Sequence, residues 1–177
     1  MAIHVVFVCL GNICRSPMAE AIFKDMVEKE GLAGEITVDS VGTGAWHVGD
    51  NAHRGTLQVL KDHGIDFDHR ARKIERSDLE HADYLIAMDR SNLDAIRRLG
   101  PTHAEVGLLL DYAPEAGERE VPDPYYTGGF EYVYELVHAG CRGLLDHIRG
   151  GQCFGRHMVG EDVNQGLLVL GLEQFIQ

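Results

Sequence analysis

Cys9 and Arg15 close the segment Cys9-Leu10-Gly11-Asn12-Ile13-Cys14-Arg15, with five residues between them. That pairing suits one kind of chemistry. Five residues can curl into a cup whose backbone N–H groups point inward at an oxyanion. The same field stabilises a thiolate, which makes Cys9 a nucleophile. Arg15 can fork onto two oxygens of a phosphate dianion and carry the charge that spreads over them in a transition state. Ser16 follows, where its hydroxyl can donate to the sulfur and ease its departure. Gly11 lets the backbone approach a ligand. Asn12 tolerates left-handed geometry and can tie the loop together. With Leu10, Ile13 and Cys14, these residues form the candidate phosphate-binding loop.

The spacing alone is weak, and the surrounding elements strengthen it. Ile3 to Cys9 holds the unbroken run Val5-Val6-Phe7-Val8, which fits a strand buried on both faces of a parallel sheet. Ser16-Pro17 predicts a helix start, with Ser as N-cap and Pro at the first helical position, and Gly31 predicts its stop. Further strands are expected at Ile36–Val41, Asp83–Met88 and Val106–Leu110. Helices are expected at Ala52–His63, Asp89–Leu99 and Phe130–Ile148, the last ended by Gly150-Gly151 and facing Val133, Val137, Leu144 and Ile148 inward. This alternation implies an α/β three-layer sandwich: a central four-stranded parallel sheet flanked by helices, with the phosphate loop after strand 1. Open α/β sheets bind ligands at such carboxyl ends of strands.

Thiolate attack on a phosphate ester needs an acid opposite the nucleophile to protonate the leaving oxygen. Asp123, stiffened by Pro122 and Pro124, is the candidate. Tyr125 and Tyr126 follow it on the same loop and suit recognition of an aromatic ring. Trp46, the single Trp, lies in a Gly-rich loop and is the other expected wall. Such walls form a deep slot that a phosphotyrosine ring spans and a phosphoserine does not. Cys14 is a second thiol within the cup, so a reversible Cys9–Cys14 disulfide is sterically open and would switch the site off under oxidation. The histidines show no metal-like spacing, and neither metal nor cofactor is expected.

The segment Val8 to Pro17 resembles the signature of the low-molecular-weight protein tyrosine phosphatases. The resemblance extends over about residues 3 to 149 and includes Asp39-Ser40, His69-Arg70-Ala71-Arg72, Met88-Asp89 and Asp123-Pro124-Tyr125-Tyr126. It implies a metal-independent phosphatase working through a phosphocysteine. In it, Asp123 would act first as acid and then as base, and the tyrosine pair would wall the cleft. It also implies that Ser40 and His69, with Ser16, hold Asn12, and that Arg72 and Asp89 share a charged brace behind the site. Two relatives of the fold are less well matched. Thioredoxin-coupled arsenate reductases need two more cysteines near the third strand, and residues 76–105 contain none. Arginine phosphatases resembling these carry a small Thr where Ile13 stands.

Composition bounds the rest. The chain has 177 residues, enough for one ordinary domain and not two. Its 28 acidic and 16 basic residues leave a net charge of −12, which argues against nucleic-acid or anionic-membrane binding. The same acidity is expected to disfavour acidic phosphopeptides. Four cysteines are too few for a disulfide scaffold and point to a reducing, cytoplasmic setting. The expected partners are tyrosine-phosphorylated proteins, met by a monomer or weak homodimer. Residues 1–150 are expected to form the phosphatase domain. Residues 151–177, ending in the apolar stretch Gly166–Ile176, form an extension of open structure and role.

Overall fold

The computed structural model describes residues 1–157; the stretch Gly166–Ile176 lies outside the described residues. Four strands, β1 (Ile3–Cys9), β2 (Ile36–Gly42), β3 (Tyr84–Ala87) and β4 (Glu105–Leu108), form one sheet in the order β2-β1-β3-β4. All three pairings are parallel, with Val5 opposite Val38 and Tyr84, and Tyr84 opposite Glu105. A parallel sheet is covered on both faces, so β1 must be apolar on both sides, and Val5 to Val8 are all fully buried.

Helices α1 (Arg15–Lys29), α2 (Arg54–Asp62), α3 (Arg76–His81), α4 (Arg90–Leu99), α5 (Pro124–Thr127) and α6 (Phe130–His157) complete the order. One core cluster joins Val6, Val8, Leu85 and Ala87 to Leu79 of α3 and Leu93 and Ile96 of α4. The opposite side chains of β1 meet α1, where Phe7 and Phe23 stack edge-on with centroids 5.5 Å apart. Compact packing divides the chain into units 1–145 and 146–177; the described part of the second is the end of α6.

Three local expectations give way to the structure, and one helix goes unforeseen. Helix α1 starts at Arg15 rather than after a Ser16 cap, and Cys14 is its N-cap without a side-chain bond. Ser16 is unavailable as a cap because its hydroxyl faces Cys9 and Asn12. Strand β4 stops at Leu108, and Leu109–Tyr112 coils into a 3-10 turn. Helix α3 has no counterpart in the sequence reading: six residues show too little periodicity, and its start rests on a Glu75–Asp78 capping box. Helix α6 runs through Gly150-Gly151 to His157. Glycine inside a helix costs only about 1 kcal/mol, so two of them weaken a long helix without ending it.

Candidate active site

Cys9 ends β1 and Arg15 begins α1, so the loop spans the carboxyl edge of the sheet and the amino end of a helix. Its carbonyls are held outward. Those of Cys9 and Leu10 accept from the N–H groups of Thr43 and Gly44, each at 2.9 Å. Those of Asn12 and Ile13 accept from His69 Nε2 at 2.8 Å and His53 N–H at 2.7 Å. The Cys14 carbonyl accepts from the Thr56 hydroxyl at 3.2 Å. With the carbonyls so engaged, the amides are free to line the cup, and the Asn12 N–H donates to Cys9 Sγ at 3.3 Å. Ser16 Oγ lies 3.0 Å from the same sulfur.

Asn12 adopts φ 55°, and among the described residues it is the non-glycine residue at positive φ. Its fully buried side chain fixes that conformation: Nδ2 donates to Ser16 Oγ and Ser40 Oγ, each at 2.9 Å, and Oδ1 accepts from Arg72 N–H at 3.0 Å. Behind it stands Glu20, a buried carboxylate that sequence reasoning missed. It accepts from Ser40 Oγ at 2.6 Å and lies 3.7 Å from His69 Nδ1. Its signal was a charged residue within the apolar run Ala19-Glu20-Ala21-Ile22. Gly42, also missed, sits so close that a Cβ there would lie 2.9 Å from the Leu10 carbonyl oxygen and 3.1 Å from Asn12 Cβ.

Arg72 and Asp89 do not share a brace. Arg72 binds Asp39 at 2.6 Å and Asp78 at 2.8 Å behind the loop. Asp89 holds the other flank, taking Arg15 Nη1 at 2.6 Å. Arg15 also donates to the Val121 carbonyl at 3.1 Å and, through Nη2, to Asp123 Oδ2 at 3.2 Å. Burial works against its charge, yet Cys9, Asp89 and Asp123 together raise its pKa above the ordinary guanidinium value. Asp123 caps α5, its Oδ1 accepting from Tyr125 N–H at 3.1 Å. Cys14 is buried; desolvation first, then the charges of Cys9 and Asp123, push its thiol up to about 12.

These groups surround a cleft of about 240 Å3. Cys9, Leu10, Gly11, Ile13, Cys14 and Arg15 make its floor, while Trp46, His47, Asp123, Tyr125 and Tyr126 make its walls. Trp46 and Tyr126 are 75% and 78% exposed, so both rings stand at the mouth rather than in the core. Trp46 packs against Gly44, where a Cβ would fall 1.9 Å from the ring. Tyr125 is steadied by Tyr126 and by His47 and His53, with ring centroids 5.1, 6.3 and 6.0 Å away. The two histidines were read only as lacking metal spacing; here they buttress the tyrosine wall. Among the described residues, no helix is long and apolar enough to cross a membrane.

The chain is similar in sequence and in fold to known proteins. Residues 4–152 match the sequence profile of the low molecular weight phosphotyrosine protein phosphatases. The low molecular weight protein-tyrosine-phosphatase YfkJ of Bacillus subtilis is 49% identical over 150 residues, covering 83% of this chain and 96% of that protein. A low molecular weight phosphotyrosine protein phosphatase of Schizosaccharomyces pombe is 54% identical over 137 residues, covering 75% and 88%. The crystal structure of the Bacillus subtilis protein superposes with a TM-score of 0.83, covering 86% of this chain and 98% of that one. The chain belongs to the low molecular weight phosphotyrosine protein phosphatase family.

Proposed function

We propose that this phosphatase cleaves phosphotyrosine on protein substrates with Cys9 as nucleophile, Arg15 as phosphate clamp and Asp123 as acid and base. Cys9 Sγ attacks phosphorus as a thiolate. The S–P bond forms while the P–O ester bond breaks, and Asp123 gives its proton to the departing tyrosyl oxygen. Water then attacks the phosphocysteine. Asp123 takes a proton from it, the S–P bond breaks, and the thiolate leaves with the Ser16 hydroxyl beside it. Arg15 and the inward amides carry the charge on the non-bridging oxygens in both steps. The observation that carries this reading is the single cleft lined by Cys9, Arg15 and Asp123 together.

Trp46, Tyr125 and Tyr126 set the depth, favouring an aryl phosphate over a shorter alkyl one. Ile13 narrows the floor. One chain supplies every group, in keeping with action as a monomer or weak homodimer. The described cysteines are free thiols, in keeping with a reducing cytoplasm. Oxidation there would join Cys9 to Cys14. On this reading, peroxide inactivates the enzyme, dithiothreitol restores it, and Cys14→Ser loses most of the recovery.

The test is hydrolysis of p-nitrophenyl phosphate with EDTA present, comparing wild type, Cys9→Ser and Asp123→Ala. Wild-type turnover with none in Cys9→Ser is expected; undiminished turnover in Cys9→Ser overturns the mechanism. Profiling with phosphotyrosine, phosphoserine and phosphoarginine peptides then checks the substrate class.

A further inference from the structure

A second, open cleft of about 500 Å3 adjoins the first and shares Leu10, Arg15 and Asp123 with it. Its lining also includes Glu118, Glu120 and Asn92. The two glutamates are exposed but held in place: Glu118 Oε1 accepts from the Tyr132 hydroxyl at 3.0 Å and Glu120 Oε1 from Arg90 N–H at 2.6 Å. Each keeps a second oxygen, and among the described residues no cationic side chain pairs with either. Asp89 and Asp123 differ, because both are joined to Arg15. The cleft therefore carries two carboxylates, Glu118 and Glu120, with no cationic partner among the described residues.

Asn92 supplies an independent pointer. It is 2% exposed, and its Oδ1 accepts from Asp89 N–H at 3.3 Å. Its Nδ2 has no partner among the described residues, yet no side-chain polar atom there is both sealed from solvent and unsatisfied. The amide nitrogen thus opens onto the cleft as an unused donor. A ligand carbonyl entering the cleft can take that donor in place of water.

We propose that this second cleft is a subsite for a lysine or arginine flanking the phosphotyrosine of a substrate. The cation meets Glu118 and Glu120, and Asn92 Nδ2 donates to a main-chain carbonyl of the same peptide. Continuity with the catalytic cleft selects this occupant. An extended chain advances about 3.3–3.6 Å per residue, so residues a few positions from the phosphotyrosine are the ones that can enter an adjoining cleft. The peptide would then be read as a dipole, its phosphate on the inward amides and its cation on the glutamates. The subsite rests on the phosphatase reading above.

The experiment measures kcat/KM for phosphotyrosine peptides carrying Lys, Ala or Glu at each position from three before to three after the tyrosine. Wild type is expected to prefer Lys over Ala at one position by about five- to tenfold, through KM, and to lose the preference near 1 M salt. Glu118→Gln/Glu120→Gln removes the preference while p-nitrophenyl phosphate hydrolysis is unchanged, and Glu120→Lys shifts it toward Glu. Equal rates for Lys and Ala at every position in wild type overturn the subsite, as does a double variant that keeps the preference. Failure of the phosphatase reading is distinguishable, since p-nitrophenyl phosphate turnover would then be absent or survive Cys9→Ser.

Discussion

Arg15 Nη2 and Asp123 Oδ2 lie 3.2 Å apart, so the phosphate clamp and the acid are joined across the cleft before any substrate enters. The sequence separates them by more than a hundred positions, and the ion pair ties the acid loop to the phosphate loop. Asp89 grips the same guanidinium from the other side at 2.6 Å. The clamp is thereby oriented, and a phosphate has only to replace one of its partners.

Asp123→Asn keeps this shape and removes the proton. Turnover of phenyl phosphate, whose leaving group needs protonation, should fall by about 10²–10⁴-fold. Turnover of p-nitrophenyl phosphate, whose leaving group is a far weaker base, should fall much less. Steady-state kinetics on the two esters decide the point; equal losses would remove Asp123 as the acid.

Asn12→Ala should be costly twice. Alanine at φ 55° is strained, and the Ser16, Ser40 and Arg72 partners lose their bonds. A loss of roughly 2–4 kcal/mol in urea unfolding is expected, together with weakened vanadate binding. Asn12→Gly relieves the strain alone and should recover part of the stability without recovering vanadate affinity. Full recovery of both would mean that the side-chain ties do not shape the loop.

Gly42→Ala places a methyl group 2.9 Å from the Leu10 carbonyl oxygen, which is backbone and cannot swing aside. Destabilisation of about 1–3 kcal/mol is expected, with the loop displaced toward the cleft. The discriminating measurement is phosphate inhibition: its constant should weaken in the variant even at temperatures where the fold is intact. Unchanged inhibition would show that the loop absorbs the methyl elsewhere.

Cys14 gives a pH prediction whose sign is fixed by burial. Its thiol is raised from 9.0 to about 12, so the fold favours the neutral form. The stability this contributes is complete below pH 9 and is lost as pH rises from 9 toward 12. Urea unfolding at pH 8, 9.5 and 11 should show a decline that is shallower in Cys14→Ser. Identical slopes would mean that Cys14 ionises as freely in the fold as in the unfolded chain.

Much of the architecture was written locally. The run Val5-Val6-Phe7-Val8 specifies a strand covered on both faces, and the Cys9-to-Arg15 segment must lie where that strand meets a helix. Gly31 at φ 72° marks the helix end for the same local reason, since a left-handed residue stops the ladder. Helix α3 was illegible because six residues complete less than two turns; the Glu75–Asp78 capping contacts, the Arg72–Asp78 ion pair and the burial of Leu79 help to hold it. The span of α6 through Gly150-Gly151 was illegible because a propensity cost of about 1 kcal/mol per glycine is small beside a helix of 28 residues.

The order of residue types already announces the chemistry available: a thiol and a guanidinium on one loop, a proline-braced carboxylate far downstream, and aromatic residues near it. Which charges meet is set by the folded arrangement. It gave Asp89 to Arg15 and Asp39 and Asp78 to Arg72, where the resemblance had implied one shared brace. It set Glu20 behind the loop, Gly42 beneath it, and Glu118 with Glu120 beside the cleft. The physical reason is range. Hydrophobic periodicity and backbone conformation act over a few neighbouring residues, whereas ion pairs and buried hydrogen bonds form between groups that only the parallel crossovers bring together.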